Sequence, residues 1–248
     1  MPFKNEKIWI IGASSGIGQS LAKLLASEGA NIILSARSED KLIALKNELG
    51  ERHDVIPFDI SDFAQTKTAI KTAKQSHEKI DRIICLAGIY EPSAIRDMRD
   101  ENIEKIISVN LTGIMHFAKN AYEMVCNQNN AQIALCASVA GYVGLPNAQP
   151  YAASKAGLIN FIQSLKMEAK DNIDIKMINP GFVKTPLTDK NSFNMPFIIE
   201  PEEAAQHIAK GLKSRSFDIN FPKKLTLTLR LISILPNILK IPICTKFK

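Results

Sequence analysis

Tyr151 and Lys155 are the residues of this chain whose spacing points most directly to chemistry. They lie four residues apart in the segment YAASKAGLINFIQSL, which has a helical pattern, so their side chains share one helix face. A phenol is a weak acid at neutral pH because its reference pKa is about 10. A neighbouring ammonium stabilises the phenolate and lowers that pKa, so we predict that Tyr151 acts as a general acid or base.

Ser138 is a third candidate, because it follows a predicted strand at the edge of the sheet where ligands bind. Its hydroxyl can donate to a substrate oxygen and stabilise the charge that develops there. The alternative interpretations are structural: Ser138 could cap a turn or helix, and Tyr–Lys pairs four residues apart occur by chance. We predict no metal site, because metal-ligand spacing is absent among His53, His77, His116 and His207.

A glycine-rich turn joins the first predicted strand to the helix that follows, with the sequence Gly12-Ala13-Ser14-Ser15-Gly16-Ile17-Gly18. Gly12 permits a tight turn, whereas Gly16 and Gly18 let a ligand approach the backbone and let the helix pack on the strand. Free N–H groups and the helix dipole favour a pyrophosphate at this helix N-terminus. The alternative is a turn of the same composition that binds no ligand.

Short apolar runs alternate with longer segments of helical period along the chain. We predict seven strands, at residues 7–11, 31–35, 54–58, 82–86, 132–136, 173–178 and 217–221. Apolar strands that alternate with helices indicate βαβ units and a parallel sheet covered on both faces. The predicted fold is therefore a doubly wound, Rossmann-like α/β sheet, with residues 1–222 forming a single domain.

The combination of these motifs resembles the short-chain dehydrogenase/reductase family. The glycines have the spacing G-x-x-x-G-x-G, and Ser138 stands thirteen residues before the Y-x-x-x-K motif of Tyr151 and Lys155. The resemblance covers residues of roughly 5–222. It implies an oxidoreductase that interconverts a carbonyl and an alcohol with a nicotinamide cofactor. It also implies that Asn110 holds a water of the proton relay and that Lys155 bonds the nicotinamide ribose.

The resemblance implies further cofactor contacts. They are Ser14, Ser15 and Ile17 with the three glycines of the turn, Asp59 and Ile60, Ala87 and Gly88, Asn110, Tyr151 and Lys155, Pro180 and Gly181, and Val183 and Thr185. Two structural alternatives stay open: a plain helix N-cap near Asp62 in place of the contact at Asp59 and Ile60, and plain turn chemistry at Pro180. The chain departs from the family pattern at Ile11, Cys85 and Leu86, which removes side-chain hydrogen bonds that support the sheet and the turn.

The prediction of NADP(H) or NAD(H) as the cofactor depends on Arg37. An acidic residue at the end of the second strand would bond the ribose 2′-hydroxyl and repel a 2′-phosphate. This chain has Ala36 where NAD-selective members of the family usually carry Asp. Arg37 offers a fork of donors to a 2′-phosphate, so we predict NADP(H) in preference to NAD(H). Ser15 does not supply the second basic residue of some NADP-dependent relatives, and a solvated Arg37 is the alternative.

The segment from Leu187 to Glu200 is predicted to be a mobile substrate lid. Phe193, Met195 and Phe197 suggest a partly apolar pocket wall, although ordinary packing beneath a loop explains them equally well. The predicted substrate is a small, hydrophobic carbonyl compound or alcohol. A catalytically idle dinucleotide-binding scaffold or cofactor sensor is the alternative function.

The charge of the chain is concentrated at one end. Of its 248 residues, six basic ones after Asp218 account for the whole net charge of +6: Lys223, Lys224, Arg230, Lys240, Lys246 and Lys248. Because the remainder is neutral, we expect no nucleic-acid partner.

Four cysteines without a C-x-x-C pair, and the absence of a secretory signal, predict reduced thiols in the cytoplasm. The resemblance implies a homodimer or homotetramer.

Residues 223–248 form a basic, apolar tail. Leucine and isoleucine lie nearly all round its predicted helix, which Pro222 would begin and Pro236 would break. Its apolar runs are shorter than the ~18 residues of a spanning helix. Three placements stay open: peripheral contact with an anionic membrane, cover over the substrate cleft, and packing on a partner subunit.

Overall fold

The computed structural model of the protein describes residues 3–191 and 193–246. Five residues lie outside the described ones: Met1, Pro2, Ser192, Phe247 and Lys248. They belong to the start of the predicted domain, to the predicted lid and to the end of the predicted tail, and those parts of the predictions lie outside the described residues.

Seven parallel strands form one sheet, in the order β3-β2-β1-β4-β5-β6-β7. Their bounds are β1 Lys7–Ile11, β2 Asn31–Ser35, β3 Asp54–Val55, β4 Arg82–Cys85, β5 Ala131–Cys136, β6 Ile173–Pro180 and β7 Asp218–Phe221. This arrangement confirms the predicted parallel, doubly wound α/β fold.

Strand β3 is shorter than predicted. It lies at the sheet edge and pairs with β2 only at Asp54 and Val55. The chain stays extended beyond them, because the N–H groups of Ile56 and Phe58 donate to carbonyls of the β2 side at 3.0 and 3.1 Å. Pro57 lies between them and has no N–H to give, which suits an edge position.

Helices cover both faces of the sheet. Within residues 3–191 and 193–246 they are α1 Gly16–Ser27, α2 Glu39–Leu49, α3 Phe63–Ser76, α4 Asp100–Ile107, α5 Ile114–Val125, α6 Gln149–Glu168, α7 Pro201–Leu212, α8 Lys223–Ser233 and α9 Asn237–Thr245. A π-helical segment, Ser108–Gly113, joins α4 to α5. Helix α8 begins one residue later than predicted because Pro222 is its N-cap, while Pro236 separates α8 from α9 as expected.

Alternate residues of β1 supply the two hydrophobic cores. Trp9 and Ile11 face the core beneath α3, α5 and α6, where the Trp9 ring meets the rings of Phe58 and Phe117 at 6.3 and 5.4 Å between centroids. Ile8 and Ile10 face the opposite core beneath α1 and α7. This period of two is what a strand buried on both faces requires.

The strand order reverses between β1 and β4, so the turns that follow these two strands lie side by side. A Cβ atom added at Gly12, just after β1, would lie only 2.8 Å from the backbone nitrogen of Ala87, just after β4. Crevices of this kind, outside the carboxyl ends of the strands, are where doubly wound sheets bind ligands.

No helix of the described ranges is long and apolar enough to cross a membrane. The four cysteines of the chain are free thiols, and Cys85, Cys136 and Cys244 are buried.

Two buried histidines make side-chain hydrogen bonds to strands β1 and β2. Nδ1 of His53 accepts the N–H of Ile32 at 3.0 Å, and Nδ1 of His77 lies 2.9 Å from Nζ of Lys7. Burial lowers the pKa of both imidazoles, and the neighbouring charge of Arg52 or Lys7 lowers it further. Both histidines therefore support the fold in their neutral form.

We expect the thermal stability to fall as the pH is lowered from about 7.5 to about 5.5. The unfolded chain takes up protons on these histidines near the usual pKa of about 6.5, whereas the folded chain does so only at lower pH, so acid favours unfolding. The unfolding midpoint, followed by circular dichroism, measures this. His53→Asn keeps an acceptor for Ile32 and should reduce the dependence. His116→Asn, at an exposed histidine, is the control. Equal pH dependence in both variants would contradict the assignment.

Candidate active site

One cleft of about 650 Å³ lies at the carboxyl ends of the strands. Its walls come from the turn after β1, the segments after β2, β3, β4, β5 and β6, and the first turns of α6. Segments that are far apart in the sequence therefore meet around one space.

The turn after β1 forms a cradle of backbone. Gly12 and Gly16 adopt φ values of +91° and +53°, in the left-handed region that favours glycine. A Cβ atom at Gly18 would lie 2.1 Å from the carbonyl oxygen of Gly12, so only glycine fits there. The first turn of α1 has no acidic side chain, and its N-cap Ser15 makes no side-chain hydrogen bond. The positive end of α1 is thus open to an anion such as a pyrophosphate.

Arg37 lies on the cleft wall beside an acidic residue. Its side chain is 56% exposed, and its Nη1 is 4.0 Å from Oδ2 of Asp59. The alternative of a helix cap belongs to Asp62, which accepts the N–H groups of Ala64 and Gln65. Asp59 instead accepts from the N–H and hydroxyl of Ser61, and keeps its place on the cleft wall.

Tyr151 and Lys155 lie on the same face of α6. Nζ of Lys155 is 5.7 Å from the centroid of the Tyr151 ring and donates to the carbonyl oxygen of Cys136, at the end of β5, at 2.9 Å. Lys155 is only 3% exposed, and both side chains line the cleft. The ammonium is thus buried with a hydrogen bond beside the phenol ring.

Burial dominates the proton chemistry of this pair. It raises the pKa of Tyr151 above its ordinary value, although the Ser138 hydroxyl that faces the phenol acts in the opposite direction. Burial also lowers the pKa of Lys155. The predicted lowering of the Tyr151 pKa is therefore not found. The free energy needed to bury a phenolate in this pocket exceeds the stabilisation that neighbouring groups give it. Tyr151 holds its proton at neutral pH.

Ser138 both caps a turn and faces the cleft. Its Oγ accepts the N–H of Ala140 at 3.1 Å, as the N-cap of a short 3₁₀ turn, and lies 3.5 Å from the carbonyl oxygen of Pro180. A hydroxyl has one donor and two acceptor sites: the capping bond occupies an acceptor site, and the donor makes only the long 3.5 Å bond to Pro180, so Ser138 can turn its donor to a substrate oxygen.

Asn110 lies behind the cleft wall, within the π-helical segment. Its side chain is fully buried, donating to the carbonyl oxygen of Ile89 and accepting the Ile89 N–H, both at 2.8 Å. A Cβ atom at Gly88 would be 3.4 Å from Oδ1 of Asn110 and 3.7 Å from Nζ of Lys155. Asn110 therefore fixes the loop after β4 next to the lysine, and its role in holding a water stays a prediction. Such π-helical distortions occur frequently at functional sites.

The other predicted cofactor contacts lie on the cleft wall: Ser14, Ile17, Ile60, Ala87, Pro180, Gly181, Val183 and Thr185. The loop after β6 closes against the glycine turn, because a Cβ atom at Gly16 would lie 2.9 Å from the Thr185 side chain. Of the departures from the family pattern, Cys85 is buried, and burial raises its pKa to about 12, so it is an unreactive thiol.

The predicted lid contributes less apolar wall than expected. Phe193 lines the cleft, and its ring lies 5.7 Å from that of Phe182. The expectation was wrong for Met195 and Phe197, which are not among the lining residues. Phe197 is 52% exposed, and its backbone adopts a left-handed φ of +57°.

Tyr90 is a cleft residue that the motifs did not reveal. Its ring packs edge-on against that of Tyr151 at 4.9 Å between centroids, and its hydroxyl donates to Oδ1 of Asn191 at 3.0 Å. The available signal was its position, two residues after Gly88 in the loop that follows β4. Tyr90 connects the predicted lid to the tyrosine that holds the proton.

The start of the tail covers the substrate end of the cleft. Leu225 and Leu229 of α8 are buried, line the cleft and pack on Val139 and Val143. Of the three placements considered for the tail, the structure shows the cleft cover for the inner face of α8.

Comparisons with known proteins agree with these motifs. A family model described as short chain dehydrogenase matches residues 6–195. The chain is 34% identical over 194 residues to a 3-oxoacyl-[acyl-carrier-protein] reductase of Thermotoga maritima, covering 77% of this chain and 79% of that protein.

Solved structures share the fold. One is a short chain dehydrogenase/reductase from Burkholderia phymatum in complex with NAD, with a TM-score of 0.85, 21% identity and coverage of 93% of this chain and 94% of that one. Another is a variant of actinorhodin polyketide ketoreductase with NADPH, with a TM-score of 0.79, 24% identity and coverage of 90% and 97%.

Gly18→Ala should destabilise the protein by about 1–3 kcal/mol, because the new methyl group would collide with the backbone at Gly12. Urea unfolding measures the free energy. The matched control is Gly144→Ala, since nothing lies within 4 Å of a Cβ atom there. If the two variants unfold at the same urea concentration, the close approach of α1 to the turn is not as described.

Proposed function

The chain belongs to the short chain dehydrogenase family of oxidoreductases, and we propose that it is an NADP(H)-dependent enzyme that interconverts a carbonyl and an alcohol on a small, hydrophobic substrate. The observation that carries the proposal is the site around Tyr151. A protonated phenol faces the Ser138 hydroxyl, with the Lys155 ammonium beside its ring, in a cleft that also contains the glycine cradle.

The residues present fit a nicotinamide dinucleotide. The backbone cradle at α1 suits its pyrophosphate, and the wall from Arg37 to Ile60 suits its adenosine end. When bound, such a cofactor supplies or accepts the hydride. The structural relatives include one with NADPH and one with NAD, so the preference for NADP(H) rests on Arg37 and on Ala36, which brings no carboxylate to the end of β2.

Tyr151 is the general acid in the direction of reduction. Its raised pKa keeps the proton on the phenol until a substrate oxygen with growing negative charge approaches. Ser138 donates a hydrogen bond to the same oxygen and stabilises that charge. The Lys155 ammonium, held at the Cys136 carbonyl, stabilises the phenolate that remains after the proton has moved. In alcohol oxidation the same groups work in reverse.

The substrate end of the cleft is apolar. It is lined by Tyr90, Leu145, Phe182, Phe193, Leu225 and Leu229. A wall of this kind favours a carbonyl compound with a hydrocarbon body. The Thermotoga maritima relative, named a 3-oxoacyl-[acyl-carrier-protein] reductase, supports a carbonyl on an acyl chain as substrate.

Tyr151→Phe should lower the rate of NADPH consumption with a ketone or aldehyde by about 100- to 10,000-fold, the contribution typical of a general acid. NADPH affinity should change little, because the ring remains. Tyr122→Phe removes a hydroxyl that contacts Lys170, outside the cleft, and is the matched control. Full activity of Tyr151→Phe would contradict the proposal. A wild-type chain that binds NADPH but reduces no member of a broad carbonyl panel would be the idle scaffold.

Arg37→Ala should weaken NADPH binding about 10- to 100-fold, because one or more hydrogen bonds to a charged phosphate are lost. NADH, which has no 2′-phosphate, should bind nearly as before. Titration of the nucleotide fluorescence measures both affinities. Arg215→Ala removes the same charge from an exposed site at the opposite edge of the sheet, before β7, and should leave both unchanged. Equal losses for NADPH and NADH would remove the assignment of Arg37.

A further inference from the structure

Helices α8 and α9, with residues 234–236 between them, form a surface that we call the tail surface. Seven large apolar side chains on it are between 37% and 82% exposed: Leu227, Leu231, Ile234, Ile238, Leu239, Ile241 and Ile243. The rest of the described chain, more than 200 residues, has only six such side chains. A concentration of exposed apolar side chains of this kind marks a contact surface.

One face of α8 is buried against the body of the protein, and the opposite face is exposed. Leu225, Leu229 and Ile232 point inward and belong to the buried cluster beside the cleft. Leu227 and Leu231 point outward and are 61% and 55% exposed. The exposed apolar side chains of α8 are therefore not needed for its packing on the body.

Helix α9 buries little of its surface against the body of the protein. Among its residues only Cys244 is buried, whereas Ile238, Leu239 and Ile241 are more than half exposed. A helix that is apolar nearly all round normally lies inside a protein or in lipid. Exposure of the apolar side chains of α9 to water is therefore unfavourable.

The charge of the tail surface is positive. Lys223, Lys224 and Lys246 are exposed, and no acidic residue follows Asp218 in the sequence. Asp218 itself is paired with Arg230 at 2.9 Å. Leucine and isoleucine interspersed with lysine are typical of helices that lie in the plane of an anionic membrane, where each lysine contributes about 1 kcal/mol. A second copy fits less well, because a two-fold interface would place this positive surface against itself.

The tail surface adjoins the cleft. Leu225 and Leu229 line the cleft from α8, and Lys246 lines it from the end of α9. An apolar compound that leaves a bilayer beneath the tail surface would therefore reach the substrate end of the cleft.

We propose that the tail surface docks on an anionic lipid membrane and that apolar substrate enters the cleft from that membrane. Docking follows from the exposed apolar side chains and the lysines alone. The entry of substrate rests on the proposed function, because it requires that the cleft reduces or oxidises a hydrophobic compound.

Sedimentation of the full chain with lipid vesicles tests the docking. We expect binding to vesicles that contain phosphatidylglycerol and little binding to pure phosphatidylcholine, with the difference reduced at high salt. Leu227→Gln/Ile238→Gln and Lys223→Gln/Lys224→Gln should each weaken binding by about tenfold or more. The control is Ile43→Gln/Met167→Gln, which changes two exposed apolar side chains on α2 and α6 and should bind as the wild type.

Entry of substrate is tested with two ketones. A long-chain ketone presented in anionic vesicles should be reduced more slowly by Leu227→Gln/Ile238→Gln than by the wild type. A water-soluble ketone without vesicles should be reduced equally by both, which also shows that the variant folds. Equal rates with the vesicle-bound ketone would overturn membrane entry.

Three results would overturn the docking: no binding to vesicles of either composition, tail variants that bind as the wild type, or a dimer that forms in sedimentation and is lost in Leu227→Gln/Ile238→Gln without any vesicle binding. Failure of the proposed function gives a different result. In that case vesicle binding would persist while NADPH consumption would be absent with every carbonyl, in vesicles or in water.

Discussion

The contact between the Lys155 ammonium and the Cys136 carbonyl oxygen holds the site together. A charged amine that is 3% exposed must have hydrogen-bond partners, and here the end of β5 supplies one at 2.9 Å. That bond fixes α6 relative to the sheet and thereby fixes Tyr151, one turn earlier on the same helix. Ser138, two residues after Cys136, is placed opposite the phenol by the same strand end. The three side chains of the proposed reaction are thus positioned around the end of one strand.

The sheet also places the proposed dinucleotide site next to these groups. The reversal of strand order between β1 and β4 leaves a crevice that the glycine turn and the loop with Ala87 and Gly88 share. Asn110 holds that loop through both backbone groups of Ile89. The glycine cradle and Tyr151 therefore rest on the same sheet, at the carboxyl ends of neighbouring strands.

The strands were predictable because apolar alternation and short length are local properties of the sequence. The glycine turn and the Tyr151–Lys155 pair were visible because each is a set of residue types at fixed spacing within one short segment. The direction of the Tyr151 pKa was not predictable, because it depends on how many protein atoms surround the phenol after folding. The place of Tyr90 and the outward turn of Phe197 likewise depend on loop conformation, which spacing does not encode. The cleft cover by α8 was one of three open placements until the packing of Leu225 on Val139 was known.

Tyr90 links two parts of the cleft that lie far apart in the sequence, the loop after β4 and the segment before α7. Its ring lies against Tyr151, while its hydroxyl is bonded to Asn191, next to the ion pair of Lys190 with Glu91. Movement of residues 187–191 away from the cleft would break both polar contacts and would leave the Tyr90 ring, the aromatic neighbour of Tyr151, without this anchor. In the proposed enzyme, opening of this segment for product release would therefore also loosen the surroundings of Tyr151, so the lifetime of the closed conformation would set how long the reacting groups stay aligned.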